Sequence, residues 1–92
     1  MKLIWSDPAL TDLDEILAFT QKHYPQVVVA LKDRIRVVLG RVRKRPRSAQ
    51  SLLGQPSVRT VPLLRYPYRI HYRIDGDVLY ILHVHHTSRE ML

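Results

Sequence analysis

The chain has 92 residues, no cysteine and a formal charge of +7, with a pI near 10.3. That length suits one domain with one modest core, residues 1–92, and the lack of cysteine excludes disulfides, thiol nucleophiles and thiolate metal sites. The longest apolar run, Val27 to Leu31, falls far short of the roughly 20 residues a membrane helix needs, and Asp7 and Pro8 interrupt the N-terminus before a signal-peptide core can form. The expectation is a soluble cytoplasmic protein with no membrane partner. Its surplus charge favours an acidic partner such as nucleic acid, an RNA-rich particle or an acidic protein.

In chain order, Lys2 to Trp5 reads as a short strand delivering Leu3 and Trp5 to the core. Ser6-Asp7-Pro8 reads as a helix start, with Asp7 capping free N–H groups and Pro8 tolerated in the first turn. Leu10, Leu13, Ile16 or Leu17, and Thr20 then recur at helical spacing to about His23, with Asp12, Asp14 and Glu15 towards the N-terminus, where carboxylates suit the helix dipole. Tyr24-Pro25 breaks this helix. From Val28 the positions Leu31, Ile35, Val38 and Val42 continue a three-and-four spacing, with Leu39 beside it, which predicts a second helix to about Lys44. So short a connection predicts an antiparallel helix hairpin covering one face of a sheet.

Arg41, Arg43, Lys44, Arg45 and Arg47 crowd the end of that helix. They fit a phosphate-contacting patch, and equally the ordinary preference of cations for a helix C-terminus. Ser48 to Ser57 reads as a loop with Leu52 and Leu53 folded back onto the core. Val58 to Leu63 reads as a strand, with Pro62 placed where its missing N–H does no harm. Arg59, Arg65 and Arg73 add further cations for a nucleic-acid or target surface.

The remaining stretch carries most of the chemistry. Tyr68, Ile70, Tyr72 and Ile74 alternate with Arg69, His71 and Arg73, so one face of this strand is apolar and the other cationic. Asp75-Gly76-Asp77 then supplies a hairpin turn. A two-residue turn at Asp75-Gly76 sets Arg69 opposite Leu82 and places His83 on the apolar face. A three-residue loop pairs Ile74 with Val78 and gathers His83 and His85 beside Arg69, His71 and Arg73. The second register is preferred because it leaves fewer charges facing a core. It puts Tyr80, Leu82 and Val84 inside and leaves Leu79 and Ile81 exposed beside the cations. Tyr72, Tyr80 and Trp5 read as core aromatics. The order is strand, helix, helix, strand, strand, strand: an α+β fold with its helices on one side of a mainly antiparallel sheet.

That order, the opening LIWSDPALTDLDEI and the segment YPYRIHYRIDGDVLYILHVHHTSR together resemble the RelE/ParE superfamily of toxins from bacterial type II toxin–antitoxin modules. The resemblance covers essentially the whole chain. It implies a toxin neutralised by a cognate antitoxin that has a DNA-binding part and a C-terminal segment lying across the toxin. Leu79, Ile81 and His71 would then lie under that segment, whose acidic character the basic charge would suit.

RelE-like members are ribosome-dependent mRNA endoribonucleases, whereas ParE-like members, the plasmid-stabilisation branch, are described as poisoning DNA gyrase. Metal-free RNA cleavage needs a base, an acid and fixed cations. Arg69 matches the family's phosphate-stabilising arginine, His83, His85 or His86 could supply the proton transfers, and Arg89 matches a basic residue of the tail. By alignment His86 corresponds to the C-terminal histidine of some nucleases, while the preferred register places His83 and His85 beside Arg69. The Lys-x-Lys pair of typical RelE proteins is replaced here by Arg59-Thr60-Val61, and no acidic residue between Asp33 and Asp75 offers the glutamate base of some relatives. These departures favour a ParE-like gyrase poison. The alternatives are a RelE-like ribosome-dependent endoribonuclease and a non-toxic relative that binds only nucleic acid or an antitoxin. Zinc on His83, His85 and His86 lacks cysteine or a nearby carboxylate to complete it, so neither metal nor cofactor is expected.

Overall fold

A computed structural model of the chain describes residues 1–87. Strand β1 spans Lys2–Trp5, helix α1 Asp7–His23 and helix α2 Val28–Lys44, with a single 3₁₀ turn at Pro25–Val27 between the helices. Four more strands follow: β2 at Gln50–Leu52, β3 at Gln55–Pro62, β4 at Tyr68–Asp75 and β5 at Val78–His86. They form a sheet in the order β1-β5-β4-β3-β2, in which β1 runs parallel to β5 and every other pair is antiparallel. The two helices pack on this sheet.

The sequence positions both helices well, with one change at the first cap. Ser6, rather than Asp7, caps α1: its Oγ accepts the Ala9 N–H and donates to the Leu82 carbonyl, so one hydroxyl starts the helix and ties it to β5. Ala9 and Thr20 are buried on α1, with Leu13, Ile16 and Leu17 half-buried beside them, while Leu10 is exposed. On α2 the expected stripe of Leu31, Ile35, Val38, Leu39 and Val42 is buried throughout. Tyr24 N–H still bonds back to the Thr20 carbonyl, and Pro25 then turns the chain into α2.

The region after α2 differs from its expected loop. Gln50–Leu52 pairs with β3, the pairing slips between Ser51 and Leu52, and Leu53 stands almost wholly in solvent rather than in the core. A three-residue strand of polar character has no alternation to reveal it. Its support comes from β3 and from two anchors. Arg59 donates to the Arg47 and Ala49 carbonyls, and the Tyr72 hydroxyl donates to the Pro46 carbonyl at 2.6 Å.

The β4–β5 hairpin follows neither expected register. Asp75 pairs with Val78 across a two-residue turn at Gly76-Asp77, where Gly76 adopts a φ of +61°. Ile74 therefore faces Leu79 and Tyr72 faces Ile81, after which a bulge at Leu82 shifts the pairing so that His71 faces His83 and Arg69 faces His85. Leu79 and Ile81 are fully buried with Tyr72, Ile70, Leu31 and Leu63, which corrects their expected exposure. Tyr80 moves the other way, to the outer face, with the Arg73 guanidinium 5.3 Å from its ring centroid.

Candidate functional site

The bulge sorts the two faces of β4 and β5. Towards the helices stand Tyr68, Ile70, Tyr72 and Ile74 against His86, Val84, Ile81 and Leu79. The outer face carries Arg69, His71 and Arg73 against His85, His83 and Tyr80, flanked on β3 by Thr60, which pairs with His71. The five-residue Arg/His cluster expected from the sequence is therefore assembled, although by a different register.

The bulge itself is held from outside the sheet. β1 is short, so beyond Trp5 the edge of β5 is open to the start of α1. There Ser6 N–H bonds the Ile81 carbonyl, Ser6 Oγ bonds the Leu82 carbonyl, and an Asp12 carboxylate oxygen accepts the Val84 N–H at 3.0 Å. The same oxygen lies 3.2 Å from His83 Nδ1. A carboxylate in that position orients the imidazole. Sequence reasoning read Asp12 only as a dipole partner of its helix and found no carboxylate for the histidines. The signal that could have found it is spatial, since β1 laid parallel on β5 brings the first turns of α1 to this edge.

Around His83 the rings are close. His85 lies 5.0 Å from His83 and 4.6 Å from His71, centroid to centroid. His71 is buried, whereas His83 and His85 are half-buried and reachable from solvent. Arg69 Nε donates to Thr60 Oγ1 at 2.9 Å, which fixes the guanidinium beside His85, its cross-strand partner. His86 stands on the opposite face, edge-on to Tyr68 at 5.3 Å. With Asp12, Glu15, Ile16, Phe19, Tyr68 and Val84 it lines an open cleft of about 450 Å³ beside α1. The structure thus brings His83 and His85 together with Arg69 and separates His86 from them. Arg89 lies outside the described residues. Among the described residues, no three histidines or carboxylates are arranged to hold a metal ion.

The other expected cations divide. Arg59 is committed to the carbonyls of Arg47 and Ala49, Arg43 to the Met1 carbonyl and Arg73 to the Tyr80 ring. Arg41, Lys44, Arg45, Arg47 and Arg65 are exposed. Behind the site, burial raises the Tyr72 phenol above its usual 10.0, against an opposing pull from Arg59 and the Ala49 backbone.

Comparison with known proteins places this architecture. A chain of the chromosomal ParDE toxin–antitoxin system of P. aeruginosa superposes with a TM-score of 0.80 at 25% identity, covering 94% of this chain and 95% of that one. A YoeB/ParE toxin from Agrobacterium tumefaciens gives a TM-score of 0.66 at 18% identity over 94% and 98% of the two chains, a likeness of fold. Two helices on a five-stranded, mostly antiparallel sheet is thus the fold of RelE/ParE-type toxins. A protein of Sinorhizobium fredii (strain NBRC 101917 / NGR234) named "Putative toxin Y4kP" is 32% identical over 97 residues, spanning 99% of this chain and 96% of its own length. Residues 3–91 match the family described as the ParE toxin of the type II toxin–antitoxin system parDE. The chain belongs to that ParE toxin family.

Proposed function

We propose that the protein is a growth-inhibiting cytoplasmic toxin, held inactive by a cognate antitoxin, whose target is DNA gyrase. The observation that carries this reading is the match to the ParE family over residues 3–91. The fold likeness to the P. aeruginosa ParDE system and the absence of the Lys-x-Lys pair of typical RelE nucleases support it. A charge of +7 suits an acidic antitoxin segment, and Leu10, Phe19, Tyr24 and Val29 leave apolar surface on the helical side for such a segment to cover. The antitoxin would contact the helices rather than Leu79 and Ile81, which are buried.

Expression without a partner should arrest growth, and the purified protein should inhibit gyrase supercoiling or trap cleaved DNA. Normal growth would sink the toxin reading, and unaffected gyrase in the presence of growth arrest would sink the target.

A second reading has one specific observation in its favour: Asp12 set against His83, with His85 and Arg69 on the same face. Such a set could cleave RNA without metal. One histidine removes the 2′-OH proton, the 2′-oxygen attacks phosphorus, the other histidine protonates the departing 5′-oxygen, and Arg69 balances the added charge. Mapping mRNA ends after cell-free translation separates the two readings. New cuts on translated message that vanish in His85→Ala support the nuclease; intact message with arrested growth supports the gyrase poison.

A further inference from the structure

A second concentration of charge lies away from the histidines, between α2 and the chain that joins β3 to β4. Arg34 and Arg41 are seven residues apart on α2, close to two full turns, so they rise from one side of the helix with Val37 between them. Arg65 and Tyr66 come up opposite them from the connecting segment. Together they line a concavity of about 360 Å³. Its one lining carboxylate, Asp33, is engaged by Arg36.

Two features set this cluster apart from a solvated run of charge. The helix dipole explains cations in the last turn of α2, but Arg34 sits in the middle of the helix, where the dipole gives no such preference. The connecting segment is also bent in a way that costs energy. Leu64 and Arg65 are consecutive non-glycine residues with φ of +46° and +73°, a region that side chains with a Cβ disfavour. The bend is closed by hydrogen bonds from the Leu63 N–H to the Tyr68 carbonyl and from the Tyr68 N–H to the Tyr66 carbonyl. Its result is that Arg65 joins Arg34 and Arg41 around one hollow.

With Asp33 engaged by Arg36, the hollow's side chains offer three guanidiniums, which only donate, and a phenol that can donate beside them. Guanidinium forks match phosphate oxygens in pairs. The charge also extends along the helix. Arg45, at the α2 cap, continues the row from Arg34 through Arg41, and eleven residues at about 1.5 Å each span roughly 16 Å. A single carboxylate would leave most of that row unused. A nucleic-acid strand, which presents a phosphate about every 3.4 Å of its axis, would engage it along its length.

We propose that the hollow formed by Arg34, Arg41, Arg65 and Tyr66 is a phosphate site that seats the sugar–phosphate backbone of a nucleic acid lying along α2. The site stands apart from the identity of the enzyme the toxin poisons and from the histidine face.

The test is fluorescence anisotropy of the full chain with a labelled DNA duplex and with a labelled single-stranded RNA, each across a salt series. The variant Arg34→Gln/Arg41→Gln/Arg65→Gln is compared with Lys2→Gln/Lys22→Gln/Lys32→Gln, which removes the same charge from exposed positions outside the hollow and leaves the Arg36–Asp33 pair intact. The hollow variant should lose about tenfold or more in affinity at moderate salt, and its log K against log salt slope should flatten by about two units on the single strand and nearly three on the duplex, at about 0.7 and 0.9 per phosphate contact. The comparator should change by less than about threefold, in line with a modest general charge effect. Loss on duplex alone assigns the site to DNA, and loss on RNA alone assigns it to RNA. Equal losses in both variants, or none in the hollow variant, overturn the proposal. So does a loss seen only with a glutamate-rich peptide, which would transfer the hollow to an acidic protein segment. Arg65→Gly guards against misfolding as the cause, because glycine accepts the positive φ while removing the guanidinium. It should keep the thermal midpoint and still weaken binding about threefold, the charge-assisted share of one phosphate contact at moderate salt.

Discussion

The two faces of the β4–β5 hairpin are built from the same alternating strands and end in opposite chemistry. On the helical face, Ile70, Tyr72, Leu79 and Ile81 are completely buried. On the outer face, Arg69, His83 and His85 are half-buried and bonded mainly to one another's neighbours: Arg69 to Thr60, His83 to Asp12. One face is the core of the fold, while on the other Arg69, His83 and His85 keep solvent access, which leaves them available for recognition or chemistry. The largest difference should appear on truncation. Leu79→Ala should cost about 2–5 kcal/mol in chemical denaturation, the range for a buried leucine whose cavity cannot collapse. A cost near zero would mean that Leu79 is a surface residue after all.

Tyr72 sharpens the comparison because it is a polar group on the apolar face. Its hydroxyl is satisfied by the Pro46 carbonyl, so Tyr72→Phe should cost about 1–2 kcal/mol. Burial raises the phenol's pKa, so the fold favours the protonated form. The stability this provides is complete below the unfolded value near 10.0 and is lost as pH rises through the folded value. Denaturation curves collected from neutral pH to above 10 should therefore fall more steeply for the wild type than for Tyr72→Phe, and parallel curves would refute the assignment.

How much of this was legible in the sequence depends on the range of the interaction that decides each feature. The α2 stripe, the Pro25 break and the apolar side of β4 follow from local periodicity, and all three are where it places them. The assembly of Arg69, His71, His83 and His85 on one face was also legible, because the cost of burying charge rules out most arrangements. The register was not. It depends on a bulge at Leu82 fastened by Ser6 and Asp12, which lie more than seventy residues away along the chain. Without that bulge the alternation has one phase, and any phase that buries Leu79 and Ile81 also turns His83 and His85 inward and Val84 outward. The strand β2 escaped notice for a related reason, since only its pairing with β3 makes it a strand.

Asp12→Ala measures that fastening. It strips the acceptor from the Val84 N–H and the partner from His83, so a loss of about 1 kcal/mol is expected, smaller than for the core truncation. Heteronuclear NMR should show the amide changes concentrated at residues 82–85. Changes spread over α1 alone would assign Asp12 to helix stability instead.

The smallest stability effect should belong to His85, and for that reason it discriminates best between the faces. Its side chain meets the rings of His71 and His83 and is open to solvent on one side. Removing it creates no enclosed cavity, so His85→Ala should shift stability by no more than about 0.5 kcal/mol. The relevant readout is then growth. If the outer face acts on the target, induced His85→Ala should lose toxicity while its denaturation midpoint stays at the wild-type value. Full toxicity at an unchanged midpoint would move the active surface elsewhere on the molecule. A midpoint shift as large as that of Leu79→Ala would show that both faces are structural, and the division of labour across this hairpin would fail.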